Sequence, residues 1–293
     1  MTVLLVFVDG IGLGTPGAHN PFDGGARGVL EPLAGRGAAV VDGWTLVACD
    51  PRMGVAGLPQ SATGTATILT GMNVPEVVGE HQPAYPSARV ETILEEHSIL
   101  RRVRDAGMRS AYLNAFPPGR ADRDADIPRG ACTLAAMAGN GPLRTFDDLH
   151  AGRAATFDLT HEIARAFGAQ IEPRSMDDAC AAVARGASEV DLALFEMFFT
   201  DTAGHRQNTW FARREILRTE MFLDGVVRFL DPQRDTVIVT SDHGNLEDLS
   251  TRGHTANDVP LLGWGRDAAT LVGTWPTLHA VGKGVLDCVL ARM

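Results

Sequence analysis

Three hydrophobic runs, each ending at an aspartate, constrain the fold of this chain most strongly. Residues 3–8 lead to Asp9, residues 191–199 lead to Asp201, and residues 235–240 lead to Asp242. Short apolar runs of this kind are typical of strands buried in a sheet. Amphipathic segments separate them, so we predict an α/β fold with a mainly parallel central sheet and helices on both faces. In such folds ligands bind beyond the carboxyl ends of the strands, where the three aspartates would converge.

The remaining segments are assigned from their hydrophobic periodicity. Residues 109–114 read as a further strand, and helices are predicted at 61–70, 90–106, 158–168, 176–187 and 209–230. The stretch 115–157 is rich in Gly, Pro, Arg and Asp and shows weak periodicity. We therefore predict a core formed by residues 1–114 and 158–293, with 115–157 as a small inserted lid.

Composition narrows the range of partners. The chain has 293 residues and a formal net charge of −10, which argues against nucleic acid as a partner, because phosphate backbones need a basic face. No apolar run approaches the roughly 20 residues that cross a membrane. The first residues read as a buried strand and lack the basic start of a signal peptide, so a cytoplasmic location is expected. The oligomeric state is not readable from the sequence.

Aspartate and histidine recur together at the predicted carboxyl edge of the sheet. The segments 201–205, 240–245 and 253–260 read DTAGH, TSDHGN and GHTANDVP. Clustered carboxylates repel one another unless cations neutralise them, which favours a metal site. Mixed Asp and His ligation suits zinc, manganese or iron better than calcium. The candidate metal ligands are Asp9, Asp201, His205, Asp242, His243 and His254.

The motifs FVDGIG, QSATGTATILTG, DTAGH, SDHGNLED and GHTANDVP, in this order, resemble those of the alkaline phosphatase superfamily. The resemblance is greatest to the branch that holds cofactor-independent phosphoglycerate mutase and phosphopentomutase. It implies two divalent metal ions, with manganese or zinc expected. One ion would be held by Asp201, His205 and His254, and the other by Asp9, Asp242 and His243.

The same resemblance implies a hydroxyl nucleophile in the segment QSATGTATILTG. Ser61 takes the family's nucleophile position, and Thr63 is the alternative. Both hydroxyls also suit the start of a helix, where Ser and Thr are favoured as caps. A nucleophile there would gain from the positive end of the helix dipole, which also favours an incoming phosphate.

The implied reaction is phosphoryl transfer to Ser61, giving a phosphoseryl enzyme. We expect a phosphohydrolase acting on a small phosphate ester, because 115–157 is shorter than the domains that enclose the substrate in the mutases. Thr65 also stands after Gly64, where those mutases carry histidine. A phosphomutase acting on a small phosphosugar or phosphoglycerate, a phosphodiesterase and a non-catalytic module that binds metal or a phosphorylated ligand remain alternatives.

Several polar residues are candidates for contacts with the substrate. Arginine forks suit phosphate or carboxylate groups, and five arginines lie in the predicted lid. Asn114 follows a predicted strand, and His81 lies soon after the nucleophile helix. The substrate-binding candidates are Asn114, His81, Arg129 and Arg153, with Arg120, Arg123 and Arg144 as further cations of the lid.

Overall fold

A single sheet of seven strands organises the chain. The computed structural model describes residues 1–35, 39–117, 119–121, 127–138, 141–266 and 268–292. Within these ranges the strands are β1 (Val3–Val8), β2 (Ala39–Val41), β3 (Trp44–Cys49), β4 (Ser110–Tyr112), β5 (Leu192–Met197), β6 (Thr236–Thr240) and β7 (Val259–Gly265).

Helices flank this sheet. In the described ranges they are α1 (Ser61–Thr70), α2 (Val74–Val78), α3 (Ala88–His97), α4 (Ile99–Asp105), α5 (Ala131–Met137), α6 (Phe146–His150), α7 (Glu162–Ala166), α8 (Met176–Ser188), α9 (Phe199–His205), α10 (Thr209–Val226), α11 (Ala268–Val272) and α12 (Leu278–Leu290). Short 3₁₀ turns lie at Glu31–Ala34 and Val227–Phe229.

The sheet is mixed, with the strand order β2-β3-β7-β6-β1-β5-β4. The four strands expected from the sequence, β1, β4, β5 and β6, form its parallel half. The other three strands, which the sequence patterns did not reveal, add antiparallel pairings on the far side of β6. The α/β prediction is confirmed, and the unpredicted strands are the reason why the sheet is mixed.

Strand β1 lies between β6 and β5 in the interior of the sheet and fixes where the candidate ligands emerge. Val8 pairs with Met197 of β5, and Phe7 pairs with Thr240 of β6. The three strands therefore end at nearly the same level of the sheet. Asp9 and the residues that follow β5 and β6 leave the sheet at one edge, as the sequence predicts.

Alternate side chains of β1 enter two separate hydrophobic layers. Leu4, Val6 and Val8 pack on one face with residues of α8 and α10. Val3, Leu5 and Phe7 pack on the other face with residues of α1, α3, α4, α5 and α12. The predicted placement of helices on both faces is therefore confirmed.

Part of the segment 115–157 belongs to the second of these layers. Helix α5 buries Ala131, Cys132 and Ala135 there. Ala115 and Ala155, at the two ends of the segment, are joined by a backbone hydrogen bond of 2.8 Å. Arg123 lies outside the described residues. A separate lid over the rest of this segment stays a prediction.

Two predicted helices are shorter or broken for local reasons. The helix predicted at 90–106 divides at Ser98, whose hydroxyl donates to the Ala135 carbonyl on α5. The helix predicted at 158–168 is confined to α7, because Leu159 and His161 have φ angles of 62° and 67°, which a right-handed helix does not contain. None of the described helices is long and apolar enough to cross a membrane.

Candidate metal centre

The six candidate metal ligands converge at the carboxyl edge of the sheet. Asp9 follows β1, Asp242 and His243 follow β6, and His254 lies in the loop before β7. Asp201 and His205 lie at the two ends of helix α9. Two groups of side chains bring their ligand atoms within 4.8 Å of one another, namely Asp201, His205 and His254, and Asp9, Asp201 and His243.

His243 lies at the centre of the second group. Its Nε2 atom is 3.4 Å from Oδ1 of Asp9 and 3.5 Å from Oδ2 of Asp242. The hydroxyl oxygen of Ser61 lies 2.9 Å from the same nitrogen. One imidazole nitrogen is thus approached by two carboxylates and by the candidate nucleophile.

Asp201 faces both groups. Its Oδ2 atom is 3.2 Å from Nε2 of His205, and its Oδ1 atom is 3.8 Å from Nε2 of His254. The first group has the same members as the set that the family resemblance implies. In the second group Asp201 joins Asp9 and His243, whereas Oδ2 of Asp242 accepts a hydrogen bond from Thr65 at 3.0 Å.

Two of the histidines are held with Nε2 turned towards the carboxylates. The Nδ1–H group of His205 donates to the Arg252 carbonyl at 2.6 Å, and that of His254 donates to the Pro59 carbonyl at 2.9 Å. These bonds leave the Nε2 lone pairs free to bind a cation. Metal-binding histidines are commonly held by such a bond from the other ring nitrogen. His243 stacks on His254 with ring centroids 3.6 Å apart.

Glycines allow the ligand-bearing segments to approach each other. Gly10 has a φ of 71°, and a Cβ atom there would lie 2.7 Å from Cβ of Asp201. Inside helix α1, a Cβ atom on Gly64 would lie 2.9 Å from Cβ of Asp242. Both distances are shorter than real Cβ contacts, so each close approach requires glycine.

The carboxylates and the imidazole share a buried environment that disfavours charge in the absence of cations. Burial, and then the charges of Asp242 and Asp201, raise the pKa of Asp9 well above its usual range. Burial and Asp201 raise the pKa of Asp242 to about 7. Burial and His254 lower the pKa of His243 to about 3, which keeps its ring neutral.

Unused acceptor atoms indicate what the cluster fits. Oδ1 of Asp9 and Oδ1 of Asp242 are buried and receive no hydrogen bond from any described residue. Buried acceptors without donors are costly, and a cation would satisfy them. Donor-free carboxylate oxygens beside imidazole nitrogens therefore fit a divalent cation.

Ser61 and Thr63 occupy different environments at the start of helix α1. Ser61 is the first helical residue, is half-buried and faces His243. Thr63 is fully buried, and its hydroxyl oxygen accepts the Gln82 backbone N–H at 3.1 Å. Of the two candidates, Ser61 has the contact to the ligand cluster.

The candidate substrate contacts mostly have partners within the chain. The Asn114 side chain accepts the N–H group of Glu196 and donates to its carbonyl, each at 2.8 Å. Arg153 donates to Asp148 at 2.9 Å, and Arg129 donates to the Arg120 carbonyl at 3.4 Å.

The remaining candidate, His81, is half-buried, and burial lowers its pKa. The hydrogen bonds named above join Asn114, Arg129 and Arg153 to residues other than the six candidate ligands. Their roles in substrate binding stay predictions.

Three further polar residues adjoin the cluster. Asn245 donates to Oδ1 of Asp201 at 2.6 Å, and Glu247 accepts bonds from several loops. Glu196 on β5 is hydrogen-bonded by Tyr112 and helps to raise the pKa of Asp9. Each left a signal in the sequence. Glu196 interrupts a hydrophobic run, and Asn245 and Glu247 lie inside the motif SDHGNLED.

Comparison with known proteins supports a metal-dependent centre. Residues 154–291 match the family model described as the Metalloenzyme superfamily. This range includes five of the six candidate ligands, Asp201, His205, Asp242, His243 and His254. Among curated protein sequences no significant match is found.

Solved structures resemble the chain over its whole length. The PH0037 protein of Pyrococcus horikoshii is 15% identical, with a TM-score of 0.60, and the alignment covers 100% of this chain and 97% of that one. The cold-active alkaline phosphatase of the psychrophile Shewanella sp. is 11% identical, with a TM-score of 0.56 and coverage of 99% and 100%.

A mutant TAB5 alkaline phosphatase with Mg bound is 13% identical, with a TM-score of 0.54 and coverage of 99% and 97%. At these identities the likeness concerns the fold. The chain therefore has an alkaline-phosphatase-like α/β fold, and its residues 154–291 match the Metalloenzyme superfamily.

Proposed function

We propose that this protein is a metal-dependent phosphohydrolase that acts on a small phosphate ester through a phosphoseryl intermediate at Ser61. The observation that carries the proposal is the position of the Ser61 hydroxyl, 2.9 Å from Nε2 of His243, the nitrogen that Asp9 and Asp242 also approach. The alkaline-phosphatase-like fold and the family match support metal-dependent phosphoryl transfer.

Two divalent cations, manganese or zinc, fit the donor set. Asp201, His205 and His254 would hold one, and Asp9 and His243 would hold the other with Asp242 beside them. When bound, such cations lower the pKa of a neighbouring hydroxyl and neutralise charge on a phosphoryl group.

The chain's own groups define the steps. The Ser61 oxygen attacks phosphorus and forms an O–P bond while the ester oxygen leaves as an alcohol, taking up the proton that Ser61 releases to solvent. Water then attacks the phosphoserine, which restores the Ser61 hydroxyl and releases inorganic phosphate. The amino end of helix α1, where Ser61 lies, favours the phosphate dianion throughout.

The exposure of the cluster favours water as the final acceptor. The His243 side chain is 0% exposed, whereas that of His205 is 44% exposed, so solvent reaches the cluster from the His205 side. Ser61 is itself only half-buried, so solvent can also approach a phosphoserine at this position. Hydrolysis is therefore favoured over return of the phosphoryl group to the substrate.

The test is a product analysis with metal-loaded protein. We expect a panel of small phosphate monoesters, assayed with manganese or zinc, to release inorganic phosphate. Isomerised substrate without free phosphate would show that the protein is a mutase and not a phosphohydrolase. Selective cleavage of diesters would show that it is a phosphodiesterase. Bound metal without turnover of any ester would leave a non-catalytic binding module and overturn the proposal.

A pair of variants tests the nucleophile. Ser61→Ala should lower turnover by at least about a thousand-fold, because the attacking oxygen is lost, while metal content stays near that of the wild type. Thr63→Val is the matched control. It should cost about 1 kcal/mol of folding stability through the lost Gln82 hydrogen bond and keep most of the activity. The reverse result would identify Thr63 as the nucleophile.

A further inference from the structure

We infer that Glu247 is a positioning residue that holds three ligand-bearing segments together, one after β1 and two within the loop between β6 and β7, and thereby sets the metal affinity of the centre. The inference rests on the proposed function only in requiring that the centre binds divalent cations. Glu247 itself is 2% exposed and belongs to neither group of candidate ligands.

All acceptor positions of the Glu247 carboxylate are in use. Its Oε2 atom accepts the backbone N–H groups of Gly12 at 2.9 Å and Asn245 at 2.8 Å. Its Oε1 atom accepts the Thr255 hydroxyl at 2.5 Å and the Asn257 amide at 2.9 Å. Four donors match the roughly four lone-pair sites of an ionised carboxylate.

The four donors come from two loops that carry candidate ligands of the centre. Gly12 follows Asp9 in the loop after β1, and Asn245 follows His243 at the start of the loop between β6 and β7. Thr255 is adjacent to His254 near the end of the same loop. One carboxylate therefore connects the loop after β1 to both ends of the loop between β6 and β7, and these segments supply candidate ligands to both groups.

The packing around this carboxylate leaves little room for adjustment. A Cβ atom on Gly12 or on Gly244 would overlap Oε1 of Glu247. Thr255 also pairs through its backbone with Gly244, so the two ends of the loop between β6 and β7 are already in register beside the carboxylate. Glu247 fills the space between the loops and meets the donors of each.

Removing the charge of Glu247 should therefore displace the candidate metal ligands slightly, while all six of them remain in the chain. In a glutamine side chain, an NH₂ group replaces one of the two carboxylate oxygens, each of which accepts two hydrogen bonds. The two donors that bind that oxygen would then face another donor. Loss of a residue that orients metal ligands typically weakens metal affinity by about 10-fold to 100-fold. We expect a loss of this size for Glu247→Gln.

A matched control exists in the same chain. Glu220 is also a buried glutamate, 4% exposed, and its carboxylate accepts the backbone N–H groups of Gly28 at 2.8 Å, Arg27 at 3.1 Å and Leu30 at 3.3 Å. None of the candidate ligands lies in this loop. Glu220→Gln should thus lower stability in a comparable way and leave metal affinity unchanged.

The experiment measures metal affinity by chelator competition, starting from protein loaded with manganese or zinc, together with the melting temperature. We expect both variants to melt earlier and only Glu247→Gln to lose metal affinity, by about 10-fold to 100-fold. Equal metal affinity in the two variants would overturn the inference.

Thr255→Val covers the case in which Glu247→Gln does not fold. It removes one donor to Glu247 and keeps the side-chain shape, so a several-fold loss of metal affinity is expected. Unchanged affinity in this variant would also count against the inference. A wild type that binds metal but hydrolyses no ester would overturn the proposed function alone, because the readout here is affinity.

Discussion

The neutral imidazole of His243 is the centre of the ligand cluster. Ser241 fixes the turn that presents it, since the Ser241 hydroxyl accepts the Ile11 N–H group and donates to the His243 carbonyl, each at 3.0 Å. The loops after β1 and β6 are thereby joined at the base of the centre. Because burial keeps the pKa of His243 at about 3, its ring can bind a cation without first losing a proton.

The carboxylates behave in the opposite way, which predicts a pH-dependent release of protons. In the cation-free protein the pKa of Asp242 is about 7 and that of Asp9 is raised, so below pH 7 a binding cation must displace protons from these groups. The number of protons released per metal bound should be larger at pH 6 than at pH 8.5. Calorimetric titrations in buffers of different ionisation enthalpy measure this number, and equal values at both pH values would contradict the expectation.

Helix α1 contributes to the site in two ways, because it carries Ser61 and also packs against Asp242. Gly64 lies one turn into the helix, against Asp242. On helix propensity alone, alanine would be better than glycine by about 1 kcal/mol. We expect Gly64→Ala instead to destabilise the protein by about 1 to 3 kcal/mol and to lower turnover, because the new Cβ atom would lie 2.9 Å from Asp242.

A second glycine serves as the control for this prediction. Gly130 precedes helix α5 with a φ of −69°, and a Cβ atom there would meet nothing within 4 Å. Gly130→Ala should therefore leave turnover nearly unchanged and lower stability by at most about 1 kcal/mol, because glycine is better than alanine at the first position before a helix. If both alanine variants behaved alike, the contact between α1 and Asp242 would not limit the site.

The strands of the parallel half were predictable from the sequence, whereas the three strands that pair antiparallel were not. β1 is a continuous apolar run, and β5 and β6 are nearly so, which is the pattern of buried parallel strands. β7 contains Pro260 and Gly263, which are unfavourable in strands. For this reason the sequence around the motif GHTANDVP did not predict a strand. β2 has only three residues, too few to show an alternating pattern.

The composition of the candidate site was likewise predictable only in part. Aspartates at strand ends and the DTAGH and DHG motifs mark the candidate ligands through local order along the chain. The role of Glu247 depends on contacts with Gly12, which lies far away in the sequence. The role of Glu196 depends on Tyr112 of a neighbouring strand. Local patterns carry no record of such contacts, because tertiary packing creates them.

The stability of the whole molecule should depend on divalent cations. The charges of Asp201 and Asp242 act unfavourably on Asp9, and that of Asp201 acts unfavourably on Asp242, because like charges repel. A cation that binds only the folded state stabilises that state. Removing cations with a chelator should lower the free energy of unfolding by about 3 kcal/mol, if the cation is normally present at about a hundred times its Kd. The melting temperature should fall accordingly. Manganese or zinc should restore the loss.

The variant His254→Ala is the control for the chelator experiment. It lacks one ligand of the first group, so its melting temperature should respond much less to the chelator. A wild type whose melting temperature is the same with and without chelator would show that the folded chain gains nothing from cations.

The position of β1 between β5 and β6 also determines the order in which the molecule can fold. Its neighbours β5 and β6 lie about 190 and about 230 residues further along the chain, so the middle of the sheet closes only through contacts of very long sequence separation. High contact order of this kind slows folding. Asp9, Asp201 and Asp242 meet only when those strands have paired, so a cation can bind only late in folding. Cation binding should therefore slow unfolding more than it speeds folding.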